Sequence, residues 1–166
     1  AIVRTTELPG VPAKSDLAVR AAAALKRETG CPFGVELAVT KRIPQGGGLG
    51  GGSSDAASVL LALNRLWDVG LPRAALVRIG SALGADVPFF LHGEPAVGRG
   101  IGEQLTPVSL PPYWAAVIAP TVTVQTASIF AAAELTRDGQ SAKMDVFSEG
   151  YGRNDLQPIA VARFPA

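Results

Sequence analysis

Residues 44 to 55 read Pro44-Gln45-Gly46-Gly47-Gly48-Leu49-Gly50-Gly51-Gly52-Ser53-Ser54-Asp55. Six of the seven positions from 46 to 52 are glycine. Glycine lets consecutive backbone N–H groups turn toward one point, at φ values that other residues avoid. Because each glycine costs about 0.5 to 1 kcal/mol in backbone entropy relative to alanine, an ordinary connecting loop is not expected to retain six of them. The stretch therefore predicts an anion cradle, and phosphate is the favoured anion.

The segments on either side of the glycines strengthen this interpretation. Residues 34 to 40 alternate Val35, Leu37 and Val39 with less apolar residues, which is typical of a strand with one buried face. The apolar residues that follow the glycines have helical spacing as far as Trp67, and they predict a helix that starts near Ser54 with a serine at its cap position. A flexible linker is the competing interpretation, but linkers do not usually join a patterned strand to a capped helix.

Two common phosphate-binding motifs fit the stretch poorly. A Walker A loop ends in Gly-Lys-Ser/Thr, and the chain contains no Gly-Lys dipeptide. Gly46, Gly48 and Gly51 satisfy the spacing G-x-G-x-x-G, but a dinucleotide site also needs an acidic residue at the end of the next strand. The chain has another predicted helix at that point, so neither motif is adopted.

The remaining elements alternate irregularly, which predicts an α+β or mixed α/β fold. The predicted elements are half a strand at Ala1–Thr6, a loop at Leu8–Ser15, a helix capped by Ser15 or Asp16 that ends at Thr29 before Gly30, a helix from Pro72 to Leu83 closed by Gly84, a hairpin at Val97–Leu105, a buried strand at Trp114–Ile118 and a helix at Gln125–Leu135. The three prolines in Pro107–Pro112 mark the best domain boundary.

Composition excludes several classes of function. Fifteen Lys and Arg residues balance fourteen Asp and Glu residues, and neither sign is gathered into blocks, so no nucleic-acid or membrane partner is expected. No apolar run approaches the roughly 18 residues of a membrane span, and no targeting segment is visible, which with the single cysteine, Cys31, predicts a cytoplasmic protein. A lone cysteine forms neither an intramolecular disulfide nor a multi-cysteine metal site, and we expect Cys31 to be buried.

The glycine stretch resembles the second signature motif of the GHMP kinase superfamily, and further blocks match that family in order. They are residues 16–22 (DLAVRAA), 41–44 (KRIP), 63–67 (LNRLW), 84–90 (GADVPFF), 100–103 (GIGE) and 154–156 (NDL). The resemblance covers nearly the whole chain. It implies a GHMP kinase fold of the α+β class, incomplete here, with a ribosomal protein S5 domain 2-like ATP-binding domain at 1–107 and the beginning of a ferredoxin-like substrate domain at 108–166.

The resemblance implies ATP-dependent phosphoryl transfer to a hydroxyl of a small molecule. In detail it points to the branch of the family that acts on a cytidine diphosphate-linked methylerythritol in non-mevalonate isoprenoid biosynthesis. Mg²⁺ is implied as well, without residues that can be assigned to it. The sequence does not report the oligomeric state.

The resemblance also assigns candidate site residues. Asp86 matches the aspartate that is proposed as general base for the attacking hydroxyl, and it is expected in an apolar, buried surround; from the residues alone, a helix N-cap is equally consistent. Thr126 and Phe130 match a substrate-binding segment whose aromatic ring stacks on cytosine, although a phenylalanine near a helix end is core by default. The nucleotide is expected against Lys41, Pro44, Gly46, Gly47, Gly48, Leu49, Gly50, Gly51, Gly52, Ser53, Ser54 and Asp55.

Several of these residues have simpler interpretations. Lys41 at a strand end is typical of a solvated edge, and Asp55, expected in the first helical turn, would stabilise the helix dipole with or without a nucleotide. The Ser53 and Ser54 hydroxyls are candidate ligands of phosphate or Mg²⁺. His92, the sole histidine, is expected to be structural.

The family also has a first strand with a substrate-facing lysine and a C-terminal glycine loop. Lys14 in Pro12-Ala13-Lys14 directly precedes a predicted helix, so it is interpreted as a solvated loop lysine, and both motifs are expected to lie outside the 166 residues. Two alternatives stay open. One is another GHMP kinase, of the homoserine or mevalonate type, and the other is a catalytically inactive nucleotide-binding or sensor protein on the same fold.

Overall fold

The computed structural model describes residues 1–43, 48–112, 114–117, 122, 124, 126–137 and 154–165. The chain divides into two compact units. The first contains Ala1–Pro44 and Gly50–Ser109, and the second contains Gln45–Leu49 and Leu110–Ala166. Each unit is described by itself.

The first unit opens with a strand-helix-strand arrangement. Strands β1 (Ile2–Arg4) and β2 (Val35–Leu37) pair in parallel, with Ile2 opposite Val35. Helix α1 (Leu17–Thr29) connects them. Parallel strands can be joined only by a long crossover connection, and α1 provides that connection between β1 and β2. Strand β2 is shorter than the predicted 34–40, while the predicted half-strand at the start of the chain is confirmed.

Helix α1 is bounded as its sequence predicts. The Asp16 side chain accepts a hydrogen bond from the Ala18 N–H at 2.9 Å and so satisfies one of the first helical donors. At the other end Gly30 adopts φ 65°, the left-handed conformation that commonly ends helices and that glycine adopts without strain.

A buried ion pair fixes Asp16. Its other carboxylate oxygen accepts a hydrogen bond from Arg4 at 2.9 Å, and the two side chains are only 4% and 7% exposed. The same guanidinium also donates to the carbonyls of Thr6 and Val11, both at 2.9 Å. The pair therefore ties β1 and the loop after it to the start of α1.

Three more helices complete the layer that packs on α1. They are α2 (Gly51–Leu66), α3 (Arg73–Ser81) and α4 (Val87–His92). The buried core of this unit lies between the helices, and its members are Ala21, Ala22, Ala24, Leu25, Cys31, Ala56, Ala57, Leu60, Leu63, Trp67, Leu76, Ile79, Val87 and Leu91. Alanine at many of these positions lets α1 and α2 approach closely.

Helices α3 and α4 meet at a glycine. A Cβ added at Gly80 would lie 2.8 Å from Leu91 Cδ1 and 2.9 Å from Val87 Cγ1. Because the surrounding side chains are themselves buried, they have little room to move. The close approach of the two helices therefore requires glycine at this position.

The unit ends in an antiparallel hairpin. Strands β3 (Ala96–Arg99) and β4 (Gln104–Pro107) pair with Ala96 opposite Pro107. Gly100 and Gly102 both have positive φ in the turn, at 71° and 111°. The hairpin is confirmed.

In the second unit the structure describes two short helices. Helix α5 spans Thr126–Phe130 and helix α6 spans Gln157–Arg163. Ile129, Ala132, Leu135 and Ile159 form a small buried cluster. The predicted helix at 125–135 is thus too long, because the chain turns after Phe130 and Leu135 reaches the cluster from a non-helical segment.

Two further predictions about elements are wrong. Residues 114 to 117 are exposed and belong to no strand, so the buried strand predicted at 114–118 does not exist over its described part; Ile118 lies outside the described residues. Helix α3 ends at Ser81, two residues before the predicted Leu83, because the Leu83 and Gly84 N–H groups both turn back to the Gly80 carbonyl. Cys31 is buried, as expected, and Trp67 is buried as well. Among the described helices, none is both long and apolar enough to cross a membrane.

Candidate active site

The site is centred on the first turn of α2. Gly50, with φ 68°, is the N-cap residue, and the helix begins at Gly51. Serine at the cap position is therefore a wrong prediction: Ser53 and Ser54 lie inside the first turn, since the Ser54 N–H already donates to the Gly50 carbonyl at 2.8 Å. Within the described part of the chain, no side chain caps this helix. The preceding N–H groups of the first turn lack an intrahelical acceptor and remain available to an anion.

Helix α4 lies directly against this turn. A Cβ added at Gly50 would lie 2.7 Å from Cζ and 2.8 Å from Cε2 of Phe90. Glycine is required at position 50 for two reasons. Residues with a side chain rarely adopt this φ, and the Phe90 ring occupies the space that a side chain would fill. Phe90 is itself held by an edge-to-face contact with Phe89, with ring centroids 5.5 Å apart.

The turn that precedes α4 brings Asp86 to the same place. A Cβ at Gly84 would lie 4.0 Å from the Ser53 hydroxyl oxygen, so the Gly84–Asp86 turn lies beside the first turn of α2. The sequence separates these two segments by more than thirty positions. The fold therefore places a carboxylate-bearing turn next to unpaired helix N–H groups.

Asp86 is exposed, which corrects the expectation of a buried carboxylate. The apolar residues around it in sequence belong to α4, and the buried ones, Val87, Pro88 and Leu91, point away into the core. Asp86 occupies the N-cap position of α4 but its side chain makes no capping hydrogen bond. Asp86 therefore occupies a cap position, but its carboxylate does not cap the helix and stays accessible.

The hairpin turn approaches from a third direction. A Cβ at Gly102 would lie 3.7 Å from the Ala85 carbonyl oxygen, so the β3-β4 turn lies close to the Asp86 turn. Glu103 folds back over this hairpin turn, and its carboxylate accepts the Ile101 N–H at 2.8 Å. Hydrogen bonds from the backbone N–H groups of Glu103 and Ile101 lower the pKa of the Glu103 carboxyl below its ordinary value.

Lys41 and Asp55 form an ion pair through Nζ and Oδ2. Lys41 is 21% exposed and Asp55 37% exposed, so Lys41 is not the solvated edge residue that its position suggests. Asp55 lies in the second turn of α2 because the helix begins earlier than predicted, which corrects its expected place in the first turn. The pair holds an ammonium group on the flank of α2.

The proposed substrate segment lies in the second unit. Thr126 begins α5 and Phe130 ends it. Phe130 is 53% exposed, so the default expectation of a core phenylalanine is wrong, and its ring is available for stacking. Ile129 beside it is buried instead.

The glycine stretch is described only from Gly48 onward. Pro44, Gly46 and Gly47 lie outside the described residues. Gly48 and Leu49 belong to the second unit, Gly48 with φ 70°.

Sequence reasoning missed the contacts that assemble the site. No local pattern in the sequence predicts the contact of Phe90 with Gly50 or of Gly102 with Ala85. The one available signal for the Phe90–Gly50 contact is the presence of both a glycine cluster and a pair of adjacent phenylalanines in the chain.

His92 lies in the last turn of α4, and its Nε2 atom is buried without a hydrogen-bond partner among the described residues. Within the same part of the chain, no group of three or more His, Cys, Asp and Glu side chains is positioned to hold a metal ion.

Comparisons with known proteins give a consistent picture. Residues 16–94 match the family described as GHMP kinases N terminal domain. Curated relatives named 4-diphosphocytidyl-2-C-methyl-D-erythritol kinase include one from Aromatoleum aromaticum, 54% identical over 99% of this chain, and one from Ralstonia pickettii, 55% identical over 98%. The chain spans 58% of the length of each. A solved structure of 4-(cytidine 5'-diphospho)-2C-methyl-D-erythritol kinase superimposes with a TM-score of 0.78 at 36% identity, over 99% of this chain and 62% of that one.

Proposed function

Residues 16–94 match the GHMP kinase N-terminal domain. From this premise we propose that the chain belongs to the GHMP kinase family and that the complete protein transfers the γ-phosphate of ATP to a hydroxyl group of 4-diphosphocytidyl-2-C-methyl-D-erythritol. The protein is then a phosphotransferase with an alcohol acceptor that acts in non-mevalonate isoprenoid biosynthesis. Identity of 54% and 55% to relatives of that name over nearly the whole chain supports this reaction over that of a homoserine or mevalonate kinase.

The observation that carries the proposal is the position of the Gly84–Asp86 turn beside the first turn of α2. Phosphoryl transfer depends mainly on positioning and charge stabilisation, so a kinase needs phosphate-binding donors and a group that orients the attacking hydroxyl in one place. The uncapped start of α2 and the exposed Asp86 carboxylate supply these two parts.

The start of α2 fits the phosphates of ATP. Its cap residue is a glycine in the left-handed conformation, and none of the described side chains caps its first-turn N–H groups. We assign Gly50, Gly51, Gly52, Ser53 and Ser54 to this role, with Pro44, Gly46, Gly47, Gly48 and Leu49 continuing it along the glycine stretch. Lys41, held by Asp55, would balance nucleotide charge. MgATP supplies the phosphoryl group; no residue is assigned to Mg²⁺.

Asp86 is assigned to the acceptor. Its carboxylate accepts a hydrogen bond from the substrate hydroxyl and aligns the oxygen for attack on the γ-phosphorus of ATP. It takes up the hydroxyl proton as the new O–P bond forms, while the bond from that phosphorus to the β–γ bridging oxygen breaks and ADP leaves. Because phosphoryl transfer depends mainly on positioning, the Asp86 carboxylate orients the hydroxyl as much as it deprotonates it.

The cytidine end of the substrate is assigned to the second unit. The exposed ring of Phe130 stacks on the cytosine, with Thr126 on the same helix. In this proposal residues 1–107 are the ATP-binding domain and residues 108–166 begin the substrate domain. The partners are small molecules, without nucleic acid or membrane, and the enzyme works in the cytoplasm.

Product analysis of the complete purified protein tests the proposal. With [γ-³²P]ATP and 4-diphosphocytidyl-2-C-methyl-D-erythritol, label is expected in a new cytidine-containing product, while homoserine and mevalonate remain unlabelled. Label on homoserine or mevalonate would establish another GHMP activity. Tight ATP binding without transfer to any of the three would indicate the inactive nucleotide-binding protein.

A further inference from the structure

A groove of about 390 Å³ runs between α1 and α3. Its floor is apolar and includes the buried Ala24 and Ile79, and the small side chain of Ala23 leaves the space open. Ligand pockets commonly have volumes of about 300 to 1,000 Å³, so the groove is large enough for a small molecule. It shares no residue with the Gly50–Asp55 and Asp86 region.

The rim of the groove is cationic. Arg20 and Arg27 on α1 and Arg78 on α3 line it, together with the carboxylate of Glu28. Arg78 is already paired with Glu28 at 2.8 Å. Three guanidinium groups and one carboxylate leave a net charge of +2.

Arg20 and Arg27 are the unpaired members. Both are exposed, and their guanidinium groups form no hydrogen bond or ion pair with any described residue. They are seven positions apart, about 10 Å along the helix, so both long side chains can reach one group placed between them. Guanidinium groups bind phosphate through two parallel hydrogen bonds, which makes a doubly charged phosphate the matching anion.

We propose that the α1-α3 groove binds a small soluble phosphate ester with an apolar tail. The dianionic phosphate lies between Arg20 and Arg27 on α1, and the tail runs across the groove over Ile79, Ala82 and Leu83. The apolar floor selects an ester over inorganic phosphate. A groove of about 390 Å³ suits one short chain rather than the surface of a bilayer. The site is independent of the nucleotide and substrate sites.

Calorimetry on the complete protein with n-hexyl phosphate and with inorganic phosphate tests the site. We expect hexyl phosphate to bind at least fivefold more tightly than inorganic phosphate. Arg20→Ala combined with Arg27→Ala should weaken both by at least tenfold. Ala82→Phe, on the α3 side of the groove, should fill the space of the tail and weaken hexyl phosphate tenfold, while inorganic phosphate changes less than twofold.

The matched control is Arg65→Ala, an exposed arginine on α2 that does not line the groove. It should change neither affinity by more than twofold, and all variants should keep the circular dichroism spectrum of the parent. Unchanged affinity in the Arg20→Ala, Arg27→Ala double variant would contradict the proposed site. An equal loss of affinity in Arg65→Ala would contradict it as well. Equal affinity for the two probes would overturn the apolar specificity, and arginine-dependent binding to phosphatidic acid vesicles without hexyl phosphate binding would overturn the soluble ligand.

Discussion

The ring of Phe90 occupies the space that a side chain at Gly50 would need, with Cζ only 2.7 Å from the position of an added Cβ. Gly50 caps α2, the helix proposed to bind phosphate, and Phe90 lies on the helix that follows Asp86. The contact therefore couples the two halves of the proposed active site. A change at either residue is expected to move both.

Gly50→Ala tests this coupling. The substitution places a side chain at a φ of 68° and against the Phe90 ring, so the start of α2 must shift. ATP affinity, measured by calorimetry on the complete protein, should fall at least tenfold. The matched control is Gly70→Ala, which has φ 69° but no atom within 4 Å of its added Cβ. Both should lose about 1 to 2 kcal/mol of stability from backbone strain. Equal ATP affinity in the two folded variants would show that the Phe90 contact does not shape the site.

Asp16→Ala tests the tie between β1 and α1. Removing one partner of a buried ion pair leaves Arg4 charged and unpaired, which costs about 3 to 5 kcal/mol in the free energy of unfolding. The helix cap at Ala18 is lost as well. Urea denaturation of the complete protein measures the loss. The control is Glu28→Ala, which breaks the exposed ion pair with Arg78 and should lower the free energy of unfolding by less than about 1 kcal/mol. A similar small loss at Asp16 would mean that the buried pair contributes little.

The elements that could be predicted from the sequence are those with local determinants. Asp16 and Gly30 mark the ends of α1 because capping chemistry acts within a few residues, and the glycine pairs mark the β3-β4 turn. The start of α2 was misplaced because Ser53 and Ser54 resemble cap residues, whereas Gly50 fulfils this role through its own backbone conformation and the approach of Phe90.

The exposure of Asp86 could not be predicted from its apolar neighbours. Val87 and Pro88 are buried, but they follow Asp86 into a helix, and helical geometry turns successive side chains in different directions. The Lys41–Asp55 pair was missed for a related reason, since it joins the segment after β2 to the second turn of α2 across the glycine stretch. Contacts between distant segments are set by packing rather than by local pattern.

Lys41→Met tests the role of the ammonium group. If Lys41 balances nucleotide charge, ATP affinity should fall about tenfold, which corresponds to 1.4 kcal/mol. Stability should change by less than about 1 kcal/mol, because the pair with Asp55 is partly exposed. Arg42→Met, the exposed neighbour, is the control and should leave ATP affinity within twofold. An equal loss in both variants would indicate only a general effect of charge.

Phe130→Ala tests the stacking assignment. Loss of a stacked base should cost about 1 to 3 kcal/mol in affinity for the cytidine-containing substrate, by analogy with base–aromatic stacking elsewhere. ATP affinity should not change, and the melting temperature should stay close to the parent because the ring is 53% exposed. Val161→Ala, an exposed apolar residue on α6, is the control. An equal loss of affinity for both ligands, or a clear fall in the melting temperature, would show that Phe130 is structural.

Steady-state kinetics of Asp86→Asn, measured on the complete protein beside its ATP and substrate affinities and its thermal melt, test the central claim most directly. Asparagine keeps the shape of the side chain and removes the charge that aligns the hydroxyl, so kcat should fall by about 10² to 10⁴. Both affinities and the melting temperature should stay close to the parent, because the Asp86 carboxylate makes no capping bond. Glu94→Gln, another exposed carboxylate, should retain full turnover. A folded Asp86→Asn variant with near-normal kcat would contradict the catalytic assignment.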